Sequence, residues 1–199
     1  MSFFDFVEIG TSNFDTLIQR ANDSHRGVSV EPLSYYLNQL PNRKNVLKLN
    51  KGISNKSATR KFFYIPEDLI LEFKMPSWLK GCNSIDSYHP TALKICKGLR
   101  LNPEEVFLVD EVEVITPLQL IDECHVETID FLKIDTEGHD LIITNEFIDL
   151  IKSKRVVINK IKFETNSCTS IREQDIVIKS LTDLGYKTVQ RDRDTVMTL

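Results

Sequence analysis

The chain has 199 residues, 41% hydrophobic and 27% charged, a composition that supports one globular domain with one core. Its formal charge of −4 offers no basic excess to displace counterions from a phosphate backbone, so no nucleic acid is expected as a partner. No stretch approaches the roughly 20 apolar residues that cross a bilayer, and no cationic, apolar, small-residue leader opens the chain; no membrane span is expected, and the cytoplasm is the default location.

In chain order, residues 3–9 are aromatic and β-branched and end at Gly10, which predicts a buried strand. A helix follows over 15–21, a second strand over 27–32 closed by Pro32, a short helix over 34–40 and a third strand over 45–49. This alternation predicts an α/β fold with a parallel sheet and right-handed crossovers. The rhythm then breaks. Residues 55–117 hold strand-like pieces at 62–65, 106–109 and 112–115 within a long irregular middle, read as an insertion after the third strand that acts as a lid or faces substrate. Thr116, Pro117 and Gln119 form a helix start with capping-box spacing, and that helix runs to Cys124. A fourth core strand over 129–135, a helix over 139–152, a strand over 156–164 and a helix over 173–184 stopped by Gly185 come next. Strands 186–190 and 195–199 are close enough to pair as a hairpin, giving an antiparallel terminal strand and seven strands in all. The whole of 1–199 reads as a single domain, and a core strand beginning at residue three suggests one excised from a longer multidomain chain.

Cys82, Cys96, Cys124 and Cys168 are widely spread, without Cys-x-x-Cys spacing. That spacing speaks against a zinc site or a redox pair and suits small core residues in a reducing compartment.

Three features fall at the C-terminal ends of the first, second and fourth strands, the edge where open α/β sheets bind ligands. The first is Glu8-Ile9-Gly10-Thr11-Ser12-Asn13, where Gly10 permits a tight turn and Glu8 can accept from a cation or amine. The second is Glu31, placed to accept both hydroxyls of an adenosine ribose. The third is the acidic turn Asp135-Thr136-Glu137-Gly138-His139-Asp140. Singly, each has an ordinary reading: a turn glycine, a solvated strand end, a capped helix start. Their coincidence on one edge favours a nucleotide-like ligand. A dinucleotide site needs Gly-x-Gly-x-x-Gly so that pyrophosphate can lie on bare backbone; here Ser12 and Asn13 or Phe14 stand at the later glycine places. One glycine beside carboxylates suits a sulfonium cation better.

These stretches, with Asn50-Lys51-Gly52-Ile53-Ser54 and above all Asp130-Phe131-Leu132-Lys133-Ile134-Asp135-Thr136-Glu137-Gly138, resemble the FkbM family of methyltransferases. So do Trp78 to Ile85, including Ser84, and His89-Pro90-Thr91. The first loop departs from the family's Asp-x-Gly-Ala-Asn-x-Gly, because Phe14 replaces the last glycine. The resemblance implies a Rossmann-like class I methyltransferase fold with S-adenosylmethionine as cofactor. It implies Glu8, Gly10, Thr11 and Ser12 near the methionine part, Glu31 and Pro32 at the ribose, Asn50, Lys51, Gly52 and Ile53 near the adenine, and Asp135 at the transfer region. The acceptor it implies is a hydroxyl of a sugar in a glycan or of a small molecule, with fused or associated glycosyltransferase domains as natural neighbours. Trp78, Ser84, His89 and Glu164 are the expected acceptor contacts.

A hydroxyl is a poor nucleophile at neutral pH, so a base or a metal must assist. Asp135, Glu137, His139 and Glu164 are the candidate bases, and Mg2+ among Asp135, Glu164 and a neighbour is the alternative. Three other functions stand beside this one: a nicotinamide-dependent oxidoreductase, disfavoured by the missing glycines; a non-catalytic adenosine-binding module; and a nucleic-acid methyltransferase, disfavoured by charge and by the lack of an Asn-Pro-Pro-Tyr-type motif.

Overall fold

Aromatic and β-branched residues, interrupted only by Asp5 and Glu8, make Phe3–Ile9 a strand, β1, in the interior of the main sheet. The computed structural model describes residues 2–165 and 168–199. One turn of helix, α1 (Leu17–Arg20), opens on a Thr16/Gln19 capping box and leads to β2 (Gly27–Val30). A second short turn, α2 (Ser34–Leu37), precedes β3 (Val46–Leu49). Both helices are shorter than the sequence pattern predicts, since tertiary packing rather than helix propensity holds them.

The segment after β3 is ordered, against the expectation of a largely irregular middle. It contributes β4 (Gly52–Ile53), β5 (Ala58–Tyr64), α3 (Glu67–Glu72), a 3-10 turn (Ser77–Gly81), β6 (Ser84–Ile85), α4 (Pro90–Gly98), α5 (Pro103–Val106) and β7 (Leu108–Ile115). The strands form a second sheet in the order β4-β7-β5-β6, with its own small core around Ile65, Leu79, Ala92, Cys96 and Val106. Two details differ from the sequence reading. Val106 closes a helix capped by Asn102 and Pro103, and β7 runs unbroken through Asp110 and Glu111 because it turns those side chains to solvent.

Helix α6 (Pro117–Glu123) begins with the expected Thr116/Gln119 capping box and returns the chain to the main sheet. Strand β8 (Thr128–Ile134), helix α7 (Asp140–Lys152), strand β9 (Val157–Glu164), helix α8 (Ile171–Asp183) and the hairpin β10 (Lys187–Arg191) and β11 (Asp194–Thr198) complete the chain. The main sheet has the order β10-β11-β9-β8-β1-β2-β3. Strands β3, β2, β1, β8 and β9 are parallel, and β11 lies antiparallel between β9 and β10. The fold is therefore α/β with a mostly parallel seven-stranded sheet of Rossmann-like kind. One face packs on α6, α7 and α8 through Leu120, Phe147 and Leu181, and the other on α1 and α2 through Phe6, Ile18 and Leu37. Cys82, Cys96 and Cys124 are buried, and none of the four thiols is in a disulfide. Among the described residues no helix is long and apolar enough to cross a membrane.

Candidate functional site

The chain leaves β1 for β2 and β3 on one side and returns as β8 on the other, so the strand order reverses between β1 and β8. Ligands of open α/β sheets bind in the crevice beyond such a point. Gly10 and Asp135 meet there. Gly10 has φ +79°, and a Cβ at this position would stand 1.9 Å from the Asp135 carbonyl oxygen, so only glycine fits. Above them opens a cavity of about 420 Å3. Its wall takes Gly10, Thr11, Ser12, Glu31, Pro32, Lys51, Gly52, Ile53, Asp135, Glu137 and Glu164 from the expected site residues. Six carboxylates and three cations line it, an excess of negative charge that suits a cationic ligand and opposes a pyrophosphate.

Glu31 organises the first loop. One carboxylate oxygen accepts from Ser12 N–H at 2.6 Å, Thr11 N–H at 3.1 Å and the Thr11 hydroxyl at 3.4 Å, and the other accepts from Leu33 N–H at 3.0 Å. Three donors crowd one oxygen, while the other, with a single donor, keeps a lone pair for one more. The loop it holds carries backbone strain, with Ser12 at φ +46° and Asp15 at φ +54°. Ser12 Oγ and Asn83 Oδ1, both from cavity-lining residues, are buried without a protein partner among the described residues. Such groups are costly unless something else satisfies them.

The acidic turn divides its labour. Asp135 is at the β8 end, where burial pushes its carboxyl up and Lys133, 3.6 Å away, pulls it down, for a net rise. Glu137, at φ +52°, projects its side chain against His89, with Oε2 3.1 Å from Nε2. Asp140 faces inward. Its carboxylate accepts from Thr136 and Gly138 N–H and from Glu164 N–H, tying the turn to the end of β9. Full burial raises its carboxyl to about 6, with Asp135 adding to the rise. Carboxylate oxygens of Asp135, Glu137 and Glu164 lie within 4.8 Å of one another.

A second cavity, of about 800 Å3, shares Phe14, Gly81, Glu137, Glu164 and Arg193 with the first, so the two adjoin. Trp78, Cys82, His89, Thr91 and Cys168 help to line it. Three of the four expected acceptor contacts, the half-exposed Trp78, the buried His89 and Glu164, therefore line one space.

Four expected residues lie elsewhere. Glu8 is fully buried and turned onto the α1 face, where it accepts from Leu17 N–H at 2.9 Å and from Lys133 Nζ at 3.1 Å. The reason is strand alternation: Glu8 sits inside β1, one residue short of its end, and projects to the same face as Phe6. Asn50 donates its side-chain amide to the carbonyls of Glu31 and Pro32, bracing the wall without lining it. Ser84 donates to the Ser87 carbonyl. His139 caps α7 outside both linings, its pKa lowered by burial and by Arg60. The sequence reading missed Phe62, Asn83, Ile85, Lys162, Arg193 and Asp194, which also line the first cavity. Phe62 and Ile85 come from the second sheet, and Asn83 directly precedes its strand β6. Asp194 arrives because β11 pairs antiparallel with β9, which sets it opposite Glu164.

No family model, curated protein or solved structure matches the chain in comparison with known proteins.

Proposed function

We propose that this chain is an S-adenosylmethionine-dependent methyltransferase that transfers a methyl group to a hydroxyl oxygen, with a sugar in a glycan as the favoured acceptor. The observation that carries the reading is the carboxylate-rich cavity at the sheet's switch point, joined to a second cavity through Glu137 and Glu164. An antiparallel strand inserted beside the last parallel one, as β11 is, also accords with the methyltransferase sheet. So does the resemblance of the β8 motif to the FkbM family.

The donor set fits the cofactor. Ser12 Oγ and Asn83 Oδ1 lack protein partners among the described residues, and Phe62, Ile85 and Ile53 supply apolar wall for a purine. When bound, S-adenosylmethionine supplies an electrophilic methyl carbon on a sulfonium. The chain then has three tasks. Glu31 fixes the Thr11–Ser12 turn and meets the ribose, and Lys51, Gly52 and Ile53 close the adenine side. Trp78 holds the acceptor in the second cavity, on the side away from the cofactor. Glu164 at the junction and Asp135 beside it on the first cavity's wall, their oxygens within 4.8 Å of each other, stand to take the hydroxyl proton as the new bond forms, and the burial that lifts Asp135 makes it a stronger base. The Asp135, Glu137 and Glu164 oxygens are donors of the type Mg2+ takes, but Lys133 and Lys162 already offset Asp135, and no step here needs a metal.

Calorimetry with S-adenosylmethionine, S-adenosylhomocysteine and NAD tests the cofactor, and turnover on a panel of hydroxylated sugars tests the reaction. We expect binding of the first two and none of NAD. Preference for NAD would overturn the reading, and cofactor binding with no methylated product on any sugar would reduce it to a binding module.

A further inference from the structure

We propose that Cys82, His89, Glu137 and Cys168 together bind a thiophilic divalent cation, Zn2+, in the wall of the second cavity. The four residues lie far apart in the sequence, which is why their spacing speaks against zinc. The fold brings them together. Cys82 ends the 3-10 turn Ser77–Gly81, His89 caps α4, Glu137 stands in the turn after β8, and Cys168 lies ahead of α8.

The geometry is that of a ligand set. His89 Nε2 is 3.1 Å from Glu137 Oε2 and 3.5 Å from Cys168 Sγ. Ligand atoms of Cys82, His89 and Glu137 all lie within 4.8 Å of one another. Tetrahedral zinc has Zn–N and Zn–O bonds near 2.0–2.2 Å and Zn–S bonds near 2.3 Å, so the edges of its coordination polyhedron are about 3.4 Å for N to O and about 3.6 Å for N to S. Both measured edges fall within a few tenths of an ångström of those values. Cys168 reaches the set through His89, and closing the tetrahedron needs the Cys82 and Cys168 side chains to shift toward Glu137 and each other.

The donor types also select the metal. Two sulfurs, one imidazole nitrogen and one carboxylate oxygen suit Zn2+ and exclude Mg2+ and Ca2+, which take oxygen. His89 is 2% exposed, and it is Nε2 that turns toward Glu137 and Cys168, so a lone pair on that nitrogen would point into the set. Four protein ligands make a closed, structural site. Bound zinc would pin the second sheet's connecting segments to the β8–α7 turn and so fix Glu137 at the boundary between the two cavities. The site does not rest on methyl transfer, and its test needs no S-adenosylmethionine.

The full chain, stripped of metal under reducing conditions, should take up one Zn2+ on titration with zinc alone and retain it through dialysis, counted by mass spectrometry of the metal. Substitution with Co2+ should give a thiolate-to-cobalt charge-transfer band, which reports on the unaltered protein. Cys82→Ser and Cys168→Ser should each weaken Zn2+ binding by at least about 100-fold and remove part of that band, while Cys124→Ser, at the end of α6, leaves both unchanged. The absence of stoichiometric zinc, a cobalt spectrum without thiolate bands, or equal zinc affinity in the Cys82→Ser/Cys168→Ser double variant would each overturn the proposal.

Discussion

Lys133 Nζ stands 3.1 Å from Glu8 Oε1, and the two residues face each other directly in the register of β1 and β8, in the middle of the sheet. Burial works against the Lys133 ammonium, but the carboxylates of Glu8 and Asp135 outweigh it and hold its pKa raised. Removing one partner of a buried pair strands the other charge, at a cost of about 3–5 kcal/mol. Lys133→Met should therefore destabilise the protein by that order in urea unfolding, and Glu8→Leu/Lys133→Met should recover most of the loss. A single variant no less stable than the parent would show that the pair is not coupled.

Gly10 carries the closest approach in the site. In Gly10→Ala the new Cβ meets the Asp135 carbonyl, and the positive φ adds strain, so we expect a loss on the order of 3 kcal/mol. Because relief requires β1 and β8 to part at the cavity floor, affinity for S-adenosylmethionine should fall with it. Calorimetry on the folded fraction at low temperature separates the two effects.

Asp140 gives a pH signature with a defined sign. Its carboxyl is raised from 3.8 to about 6 in the folded state, so between those values the native protein holds a proton that the unfolded chain has released. Stability contributed by Asp140 is therefore full below about pH 4 and declines as pH rises to about 6, by roughly 3 kcal/mol. Asp140→Asn has no proton to lose, so its unfolding free energy should lack this decline even if the variant is less stable throughout. Denaturation curves at pH 4, 5, 6 and 7 make the comparison; identical slopes for parent and variant would refute the assignment.

Trp78 lines only the second cavity, so on the proposed function it separates acceptor binding from cofactor binding. Trp78→Ala should raise the acceptor KM by about three- to tenfold, the loss of one aromatic face, and leave S-adenosylmethionine affinity within about twofold. A matching loss of cofactor affinity would mean that the two cavities serve one ligand.

The sheet was largely legible from the chain, because β1, β2, β3, β8 and β9 are short apolar runs separated by capping and turn residues whose chemistry is local. The cavity rim was legible at Gly10, Glu31 and Asp135 for the same reason: each follows directly on a strand end. Glu8 was misassigned because an end-of-strand acid and a mid-strand acid look alike until pairing is known. Lys133 was the available clue. Glu8 and Lys133 each sit one residue short of the end of a largely apolar strand, and opposite charges at matching places fit strands that are neighbours in register. The contributions of Phe62, Asn83 and Asp194 depend on how the second sheet and the final hairpin dock, and docking leaves no periodic trace in a single sequence. Residues 58–61 and 110–111 fell outside the strand-like pieces because their sheet has a solvent face rich in charge, which dilutes the apolar pattern.

The pairing of β1 with β8 also has a kinetic consequence. It joins positions 125 residues apart, as between Glu8 and Lys133, so the centre of the sheet closes only after a long loop has been gathered. Contacts of such high sequence separation are slow to form, whereas β5 and β7 meet over a far shorter stretch. In pulse-labelled hydrogen exchange during refolding, amides of β5 and β7 should become protected before those of β1. The ligand crevice between β1 and β8 would then be among the last features to appear.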